Sequence, residues 1–291
     1  MADPTPATAP SPYETYILSQ GTGDTCCTIV PERGGILTQW RVGGVELLYL
    51  DQARFLNPAL SVRGGIPILF PICGNLPGDT YVLDGQTYTL KQHGFARALP
   101  WSVAAEVEGD SPALSLVLTS DEATRTAYPF DFSLEYSYHL GPDYLEIRQL
   151  YQNQSPQAMP LSFGFHPYFA VGDKTQLRFE IPADTWWDKQ TGTAQSFGGT
   201  FDFDQPELDM AFYPVAGNQA VILDLERQIR LTLSYDTPFT TLVFWTVKDQ
   251  PFFCLEPWSA PRNALNTGEA LTHLAPGSRL GTWVRLQVTP L

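Results

Sequence analysis

The sequence predicts an all-β protein built as a large antiparallel β-sandwich, and three observations carry that expectation. Phe132, Leu134, Tyr136, Tyr138 and Leu140 alternate strictly with polar or small residues, the period-two pattern of a strand with one buried face. Glycine (23) and proline (25) are frequent and spread along the chain, where they punctuate many short apolar runs. No stretch carries helical periodicity for more than ~three turns, and no unit of ~20–50 residues repeats, which sets aside propellers and solenoids.

Taken in order, Tyr13 to Leu18, Cys26 to Val30 and Ile36 to Val42 read as short strands, separated by turns at Gly21-Thr22-Gly23 and Arg33-Gly34-Gly35. Gly43-Gly44 turns the chain before Val45 to Leu50. A richer stretch follows, Arg63 to Arg97, whose apolar run Ile66 to Ile72 is punctuated by Gly64, Gly65, Pro67 and Pro71. Within it, Asp84-Gly85 separates Tyr81-Val82-Leu83 from Tyr88-Thr89-Leu90, a hairpin signal because both central residues tolerate positive φ. Trp101 to Val107 and Leu114 to Thr119 flank a polar turn, and Asp121 to Tyr128 predicts one or two helical turns. Gly141-Pro142-Asp143 reverses the alternating strand onto Leu145 and Ile147, which makes a meander. Leu161 to Phe169 and Leu177 to Ile181 read as strands, followed by a polar, glycine-rich stretch from Asp188 to Asp204. Val221 to Leu225, Ile229 to Tyr235, Thr241 to Val247, Phe252 to Glu256 and Thr282 to Val288 complete a mostly meander-connected sandwich.

The 291 residues are 43% hydrophobic and 13% aromatic, enough for one large core. Residues 13–291 are expected to form a single domain behind a disordered lead-in, residues 1–12. That lead-in, MADPTPATAPSP, has neither the basic region nor the apolar segment of a secretory signal. No apolar stretch approaches the ~20 residues a membrane span needs. The formal net charge of −14 argues against nucleic acid, whose non-specific binding depends on clustered lysine and arginine, and equally against an anionic membrane surface. Cys26, Cys27, Cys73 and Cys254 show no CxxC spacing, so neither a zinc cluster nor a disulfide framework is indicated, and reduced thiols in a cytoplasm are expected. Cys73 and Cys254 sit in apolar runs and read as small core residues. Monomer and homodimer both remain open.

Chemistry concentrates at a few positions. Only four histidines occur. His93 follows a strand and precedes Gly94-Phe95; His166 follows Gly164-Phe165, and Pro167 behind it ends ladder pairing there. Glu256 closes an apolar strand and abuts Pro257-Trp258. A carboxylate in that setting is costly to bury unless it is hydrogen-bonded or used, and burial moves its pKa toward the range of a general base. A metal site made by His93, His166 and Glu256 is the weaker option, since no close-spaced ligand pair is evident. No Gly-x-Ser-x-Gly elbow or phosphate loop is present. Trp186-Trp187, Trp258, Tyr168 and Phe165 supply aromatic faces of the kind that pack on sugar rings, although core packing is the better account of most of them.

These residues bring a family into view. QHGFAR (Gln92 to Arg97), the preceding PILFPICGN with its hairpin, GFHPYF (Gly164 to Phe169) and LEPW (Leu255 to Trp258) resemble the aldose 1-epimerase (mutarotase) family, in order, from about Gly34 to the end of the chain. The resemblance implies a galactose mutarotase-like supersandwich that interconverts the α and β anomers of an aldose without a cofactor. It implies Glu256 as the general base at the C1 hydroxyl, His166 as the general acid at the ring oxygen, His93 as a second histidine holding the sugar, and Asp209 as a sugar-hydroxyl ligand. RGGIP followed by HGFAR is similar to the branch acting on hexose 6-phosphates, in which Arg63 and Arg97 would hold the phosphate; GFHPYF with LEPW is closer to epimerase-like proteins of unsettled substrate. The expected ligand is therefore a sugar or sugar phosphate. The alternative is a non-catalytic sugar-binding or sugar-sensing protein on the same fold. A glycoside-processing enzyme would need a carboxylate pair, for which only Asp209 could partner Glu256.

Overall fold

In the computed structural model of the chain, residues 12–188 and 192–291 are described. Residues 1–11 of the expected lead-in lie outside them, as do residues 189–191 of the polar stretch after Asp188. Two eight-stranded antiparallel sheets dominate. One, the meander sheet, runs in the order Leu177–Glu180, Gln219–Asp224, Ile229–Tyr235, Arg279–Pro290, Tyr144–Asn153, Phe132–Leu140, Ala113–Thr119, Ser102–Val107. The other, the site sheet, runs Thr193–Ser196, Thr185–Asp188, Glu207–Phe212, Thr241–Val247, Phe252–Trp258, Gly164–Phe165, Ile68–Leu69, with Tyr168–Ala170 also paired to Phe252–Trp258. A four-stranded sheet of Tyr16–Gln20, Thr25–Val30, Ile36–Val42 and Val45–Glu46 precedes them.

The two large sheets meet face to face through interdigitated aromatic rings. Phe179 of the meander sheet packs edge-on against Phe244 (5.2 Å between ring centres) and Phe253 (5.6 Å) of the site sheet. Tyr136 meets Phe165 at 5.8 Å, and Tyr151 meets the Phe163 ring at 4.3 Å. The strict alternation read from Phe132 to Leu140 is what fills this core: Phe132, Leu134, Tyr136, Tyr138 and Leu140 are all buried, and the intervening residues face outward.

The sequence reading is corrected in two places. The expected meander connectivity is broken by the last strand, Arg279–Pro290, which lies between Tyr144–Asn153 and Ile229–Tyr235, in the middle of its sheet. Such pairing between distant segments leaves no local signal. The run Leu161 to Phe169 is not one strand either. It breaks into Met159–Leu161, Gly164–Phe165 and Tyr168–Ala170: at the first break the Ser162 and Phe163 N–H groups donate to the Pro71 carbonyl and the Ser259 hydroxyl, and at the second Pro167 has no N–H to give the ladder. The expected hairpin at Asp84-Gly85 is present, with φ of +50° and +80° at the two turn residues, and Asp121 caps a short helix, Glu122–Ala127, through its side chain.

Glycines position the stretch from Arg63 to Arg97 by allowing backbone to touch backbone. A Cβ on Gly94 would lie 2.2 Å from the Phe70 carbonyl oxygen, and one on Gly34 would lie 2.1 Å from the Arg97 carbonyl oxygen. Gly94 also has φ of +68°, a conformation that disfavours every residue with a Cβ. Gly94→Ala is therefore expected to destabilise the protein by about 2 kcal/mol or more, read as a lowered denaturant midpoint at unchanged m-value.

Candidate functional site

Strand Phe252–Trp258 is buried along its whole length and divides its side chains between two environments. Phe253 and Leu255 enter the main core. On the other face, Phe252 and Cys254 pack with Tyr168, and Trp258 packs with Cys73 and Val243. Glu256 lies on this second face by the same alternation. The neighbouring registers, Gly164 opposite Trp258 and Tyr168 opposite Cys254, place His166 across from Glu256, although the proline interrupts the ladder between them.

The outcome is a buried pair. His166 Nε2 lies 3.3 Å from Glu256 Oε1, with only 10% and 2% of the two side chains exposed. The other carboxylate oxygen, Oε2, accepts a hydrogen bond from the Trp258 indole N–H at 3.1 Å. Burial pushes the Glu256 carboxyl well above the usual carboxylate range, and Asp209 adds to this while Arg262, Trp258 and Arg97 oppose it. Burial, together with Arg97, Arg262 and Arg63, pushes His166 down to about 3. Both shifts disfavour charge, so the pair as a unit holds one proton between Oε1 and Nε2.

His93 is fixed differently. Its backbone is left-handed, φ +65°, its N–H donates to the Gly74 carbonyl at 2.7 Å, and its Nδ1 accepts from the Gly74 N–H at 3.1 Å. Burial, then His166, Arg97 and Arg262, hold it well below the usual histidine range. A neutral imidazole whose Nδ1 accepts must carry its proton on Nε2, which makes His93 a hydrogen-bond donor at Nε2. Its ring centre lies 5.4 Å from that of His166.

These groups line a cavity of about 670 Å³ that also takes in Arg63, Arg97, Asp209, Tyr168, Trp245 and Arg262. All six residues singled out in the sequence (His93, His166, Glu256, Arg63, Arg97 and Asp209) thus face one pocket. Arg63 lies 5.9 Å above the Trp245 ring. Arg97 donates to the Gln92 carbonyl at 2.8 Å; burial lowers its pKa while Tyr168 and Glu256 restore part of it. Tyr168 stacks on His166 at 4.7 Å, with ring planes 10° apart.

Sequence reasoning missed Arg262 and Trp245. Arg262 pairs with Asp209 and lies 5.3 Å over the Trp258 ring. Its stem fits because Gly74 has no side chain: a Cβ there would sit 2.5 Å from Arg262 Cγ. An arginine four residues beyond LEPW, in a chain with 17 lysines and arginines, was the available signal. Trp245 donates to Glu207 at 2.7 Å; its position opposite Cys254 and Asp209 had no sequence signature. Conversely, Trp186, Trp187 and Phe165 do not line the pocket. Trp186 and Phe165 pack on the core, and Trp187 is exposed. The ligand-type side chains that converge are His166, Cys254 and Glu256, with their ligand atoms within 4.8 Å of one another, rather than the set containing His93. A larger groove of about 750 Å³ lies elsewhere, between Gly172 and Pro251, but its Lys174 and Lys248 amines are tied to the Val247 and Asp204 carbonyls, and Lys248 also pairs with the exposed Asp204 carboxylate at 3.6 Å.

Known proteins share this fold over the whole chain. The family model described as aldose 1-epimerase matches residues 16–287, so the chain belongs to the aldose 1-epimerase family. The Slr1438 protein of Synechocystis sp. PCC 6803 is 44% identical, with a TM-score of 0.94 and full coverage of both chains. A relative from Cenchrus ciliaris, whose own assignment as a glucose-6-phosphate 1-epimerase is provisional, is 31% identical over 169 residues, 53% of this chain and 47% of that protein. The match thus spans about half of that relative's length. Protein LacX of Lactococcus lactis is 27% identical over 82% of this chain and 86% of its own. Among the described residues no helix is long and apolar enough to cross a membrane.

The indole N–H of Trp258 stabilises the carboxylate form of Glu256. Trp258→Phe, which keeps an aromatic ring and removes the donor, is expected to raise the pH at which the His166–Glu256 pair loses its shared proton. The rise should be about one pH unit, the worth of one hydrogen bond to a charged group, followed by NMR titration of labelled histidine rings.

Proposed function

We propose that the protein interconverts the α and β anomers of a hexose by general acid–base ring opening and closure, with Glu256 as the base that takes the C1 hydroxyl proton and His166 as the acid that protonates the ring oxygen. The observation that carries this reading is the His166–Glu256 pair, 3.3 Å apart at the wall of a sugar-sized cavity. Mutarotation moves one proton onto the ring oxygen and one off the C1 hydroxyl. A carboxylate and an imidazole that hold one proton between them have the proton count the reaction needs, before opening and after. The ring opens, the C1–C2 bond rotates, and the roles reverse on closure, with no electron or group carrier required.

The remaining groups fit the same substrate. His93 offers an Nε2–H to a sugar oxygen. Asp209, held by Arg262, accepts from hydroxyls, and Trp245, Tyr168 and Trp258 offer apolar surface to the sugar's C–H face. Arg63 and Arg97 are the proposed phosphate ligands, which makes a hexose 6-phosphate the favoured substrate. The chain's formal charge of −14 opposes a dianion at long range, but that field is screened within ~8 Å at physiological salt. Arginine contacts act at hydrogen-bond distance and are the stronger effect.

Glu256→Gln is expected to slow mutarotation by roughly 10²–10⁴-fold, measured by polarimetry or with an anomer-specific coupled dehydrogenase. An unchanged rate would remove Glu256 from the mechanism, and saturable sugar binding by a wild-type protein that accelerates nothing would favour the sugar-sensing alternative. Arg63→Ala, assayed in parallel on glucose, galactose and glucose 6-phosphate, is expected to lose rate selectively on the phosphate ester; equal losses on all three would make Arg63 a structural residue.

A further inference from the structure

Cys254 is a buried thiol beside the acid–base pair that the proposed reaction leaves unused. Cys254 and Glu256 stand two residues apart on strand Phe252–Trp258, so their side chains project from the same face. His166 faces them from the adjacent segment. One ligand atom from each lies within 4.8 Å of the others, and all three residues are buried. The His166–Glu256 separation of 3.3 Å matches the ~3.3 Å between nitrogen and oxygen ligands around a tetrahedral zinc ion. His166 and Glu256 line the open cavity, which gives an ion a route in, and the buried Cys254 stands beside them.

We infer that His166, Cys254 and Glu256 form a binding site for a thiophilic divalent cation such as Zn²⁺ or Cd²⁺. A nitrogen, a sulfur and an oxygen ligand with the fourth position toward the cavity suit these ions. Binding forms metal–sulfur, metal–nitrogen and metal–oxygen bonds. The Cys254 thiol proton and the proton shared by His166 and Glu256 pass to solvent, and nothing is oxidised or reduced. The surroundings set selectivity. Arg63, Arg97 and Arg262 line the same cavity and disfavour a hard dication held by charge alone, so affinity depends on the thiolate bond and Mg²⁺ is excluded. The site itself does not depend on the mutarotase reading. Its consequence does: a cation held by His166 and Glu256 removes both proton-transfer groups, and the enzyme is inhibited reversibly.

The test uses the full chain with Cd²⁺ as the probe. Wild-type protein is expected to show a thiolate-to-cadmium charge-transfer absorption, a raised Tm in Cd²⁺, and a mutarotation rate that falls at least tenfold and recovers on chelation, with Mg²⁺ silent in all three measurements. Cys254→Ala and Cys254→Ser should lose the absorption and the Tm shift while keeping basal mutarotation, and should need at least tenfold more Cd²⁺ for inhibition. Cys73→Ala should behave as wild type. An absorption band that survives both Cys254 substitutions, inhibition of both variants at the wild-type Cd²⁺ concentration, or loss of either effect with Cys73 instead, overturns the site. Should the wild-type protein prove to have no mutarotase activity, the absorption and Tm measurements still decide metal binding by themselves.

Discussion

The site depends on one strand that is buried on both faces. Phe252–Trp258 gives Phe253 and Leu255 to the sandwich core and Phe252, Cys254, Glu256 and Trp258 to the pocket side. A polar residue on such a strand has no solvent to relax into, so its partners must come from adjacent chain. Those partners are His166, supplied by the register of the neighbouring segments, and the indole of Trp258, two residues along on the same face. A one-residue slip of this strand would turn Glu256 into the core and empty the site. The packing that stabilises the sandwich and the geometry that defines the pair are therefore one constraint.

Around that pair the electrostatics run against the protein's overall balance. The chain carries a formal charge of −14, yet Arg63, Arg97 and Arg262 converge on one cavity. With burial as the larger cause, all three depress His166 and Arg97 and Arg262 depress His93, and Arg262 and Arg97 counter the burial of Glu256. The result is a pair of histidines kept uncharged for different ends. His93 is locked by Gly74 into one tautomer, whereas His166 shares its proton with a carboxylate. Strained backbone supports the first of these, since His93 holds φ of +65°, a cost that its two hydrogen bonds to Gly74 sustain.

Much of the fold was legible because it is written in local patterns. The alternation of Phe132 to Leu140 and the Asp84-Gly85 turn are both features of a few consecutive residues. The central position of Arg279–Pro290 was not legible, because which strands become neighbours depends on contacts between segments far apart in sequence. The same division holds at the site. His93, His166 and Glu256 stood out as polar residues at the ends of apolar strands. Arg262 and Trp245 did not, since each reaches the pocket only through ladder neighbours and through the space left at Gly74.

By itself, the sequence determined the class of the fold, the residue types available for proton transfer and the glycine positions that let backbone segments touch, because period-two patterning and turn chemistry act within short windows. Only the tertiary structure decided which groups meet. It set His166 against Glu256, gave Asp209 an arginine partner, moved Trp186 and Trp187 away from the pocket and brought Cys254 beside the pair. Those outcomes follow from strand register and sheet order, which sum weak preferences over the whole chain.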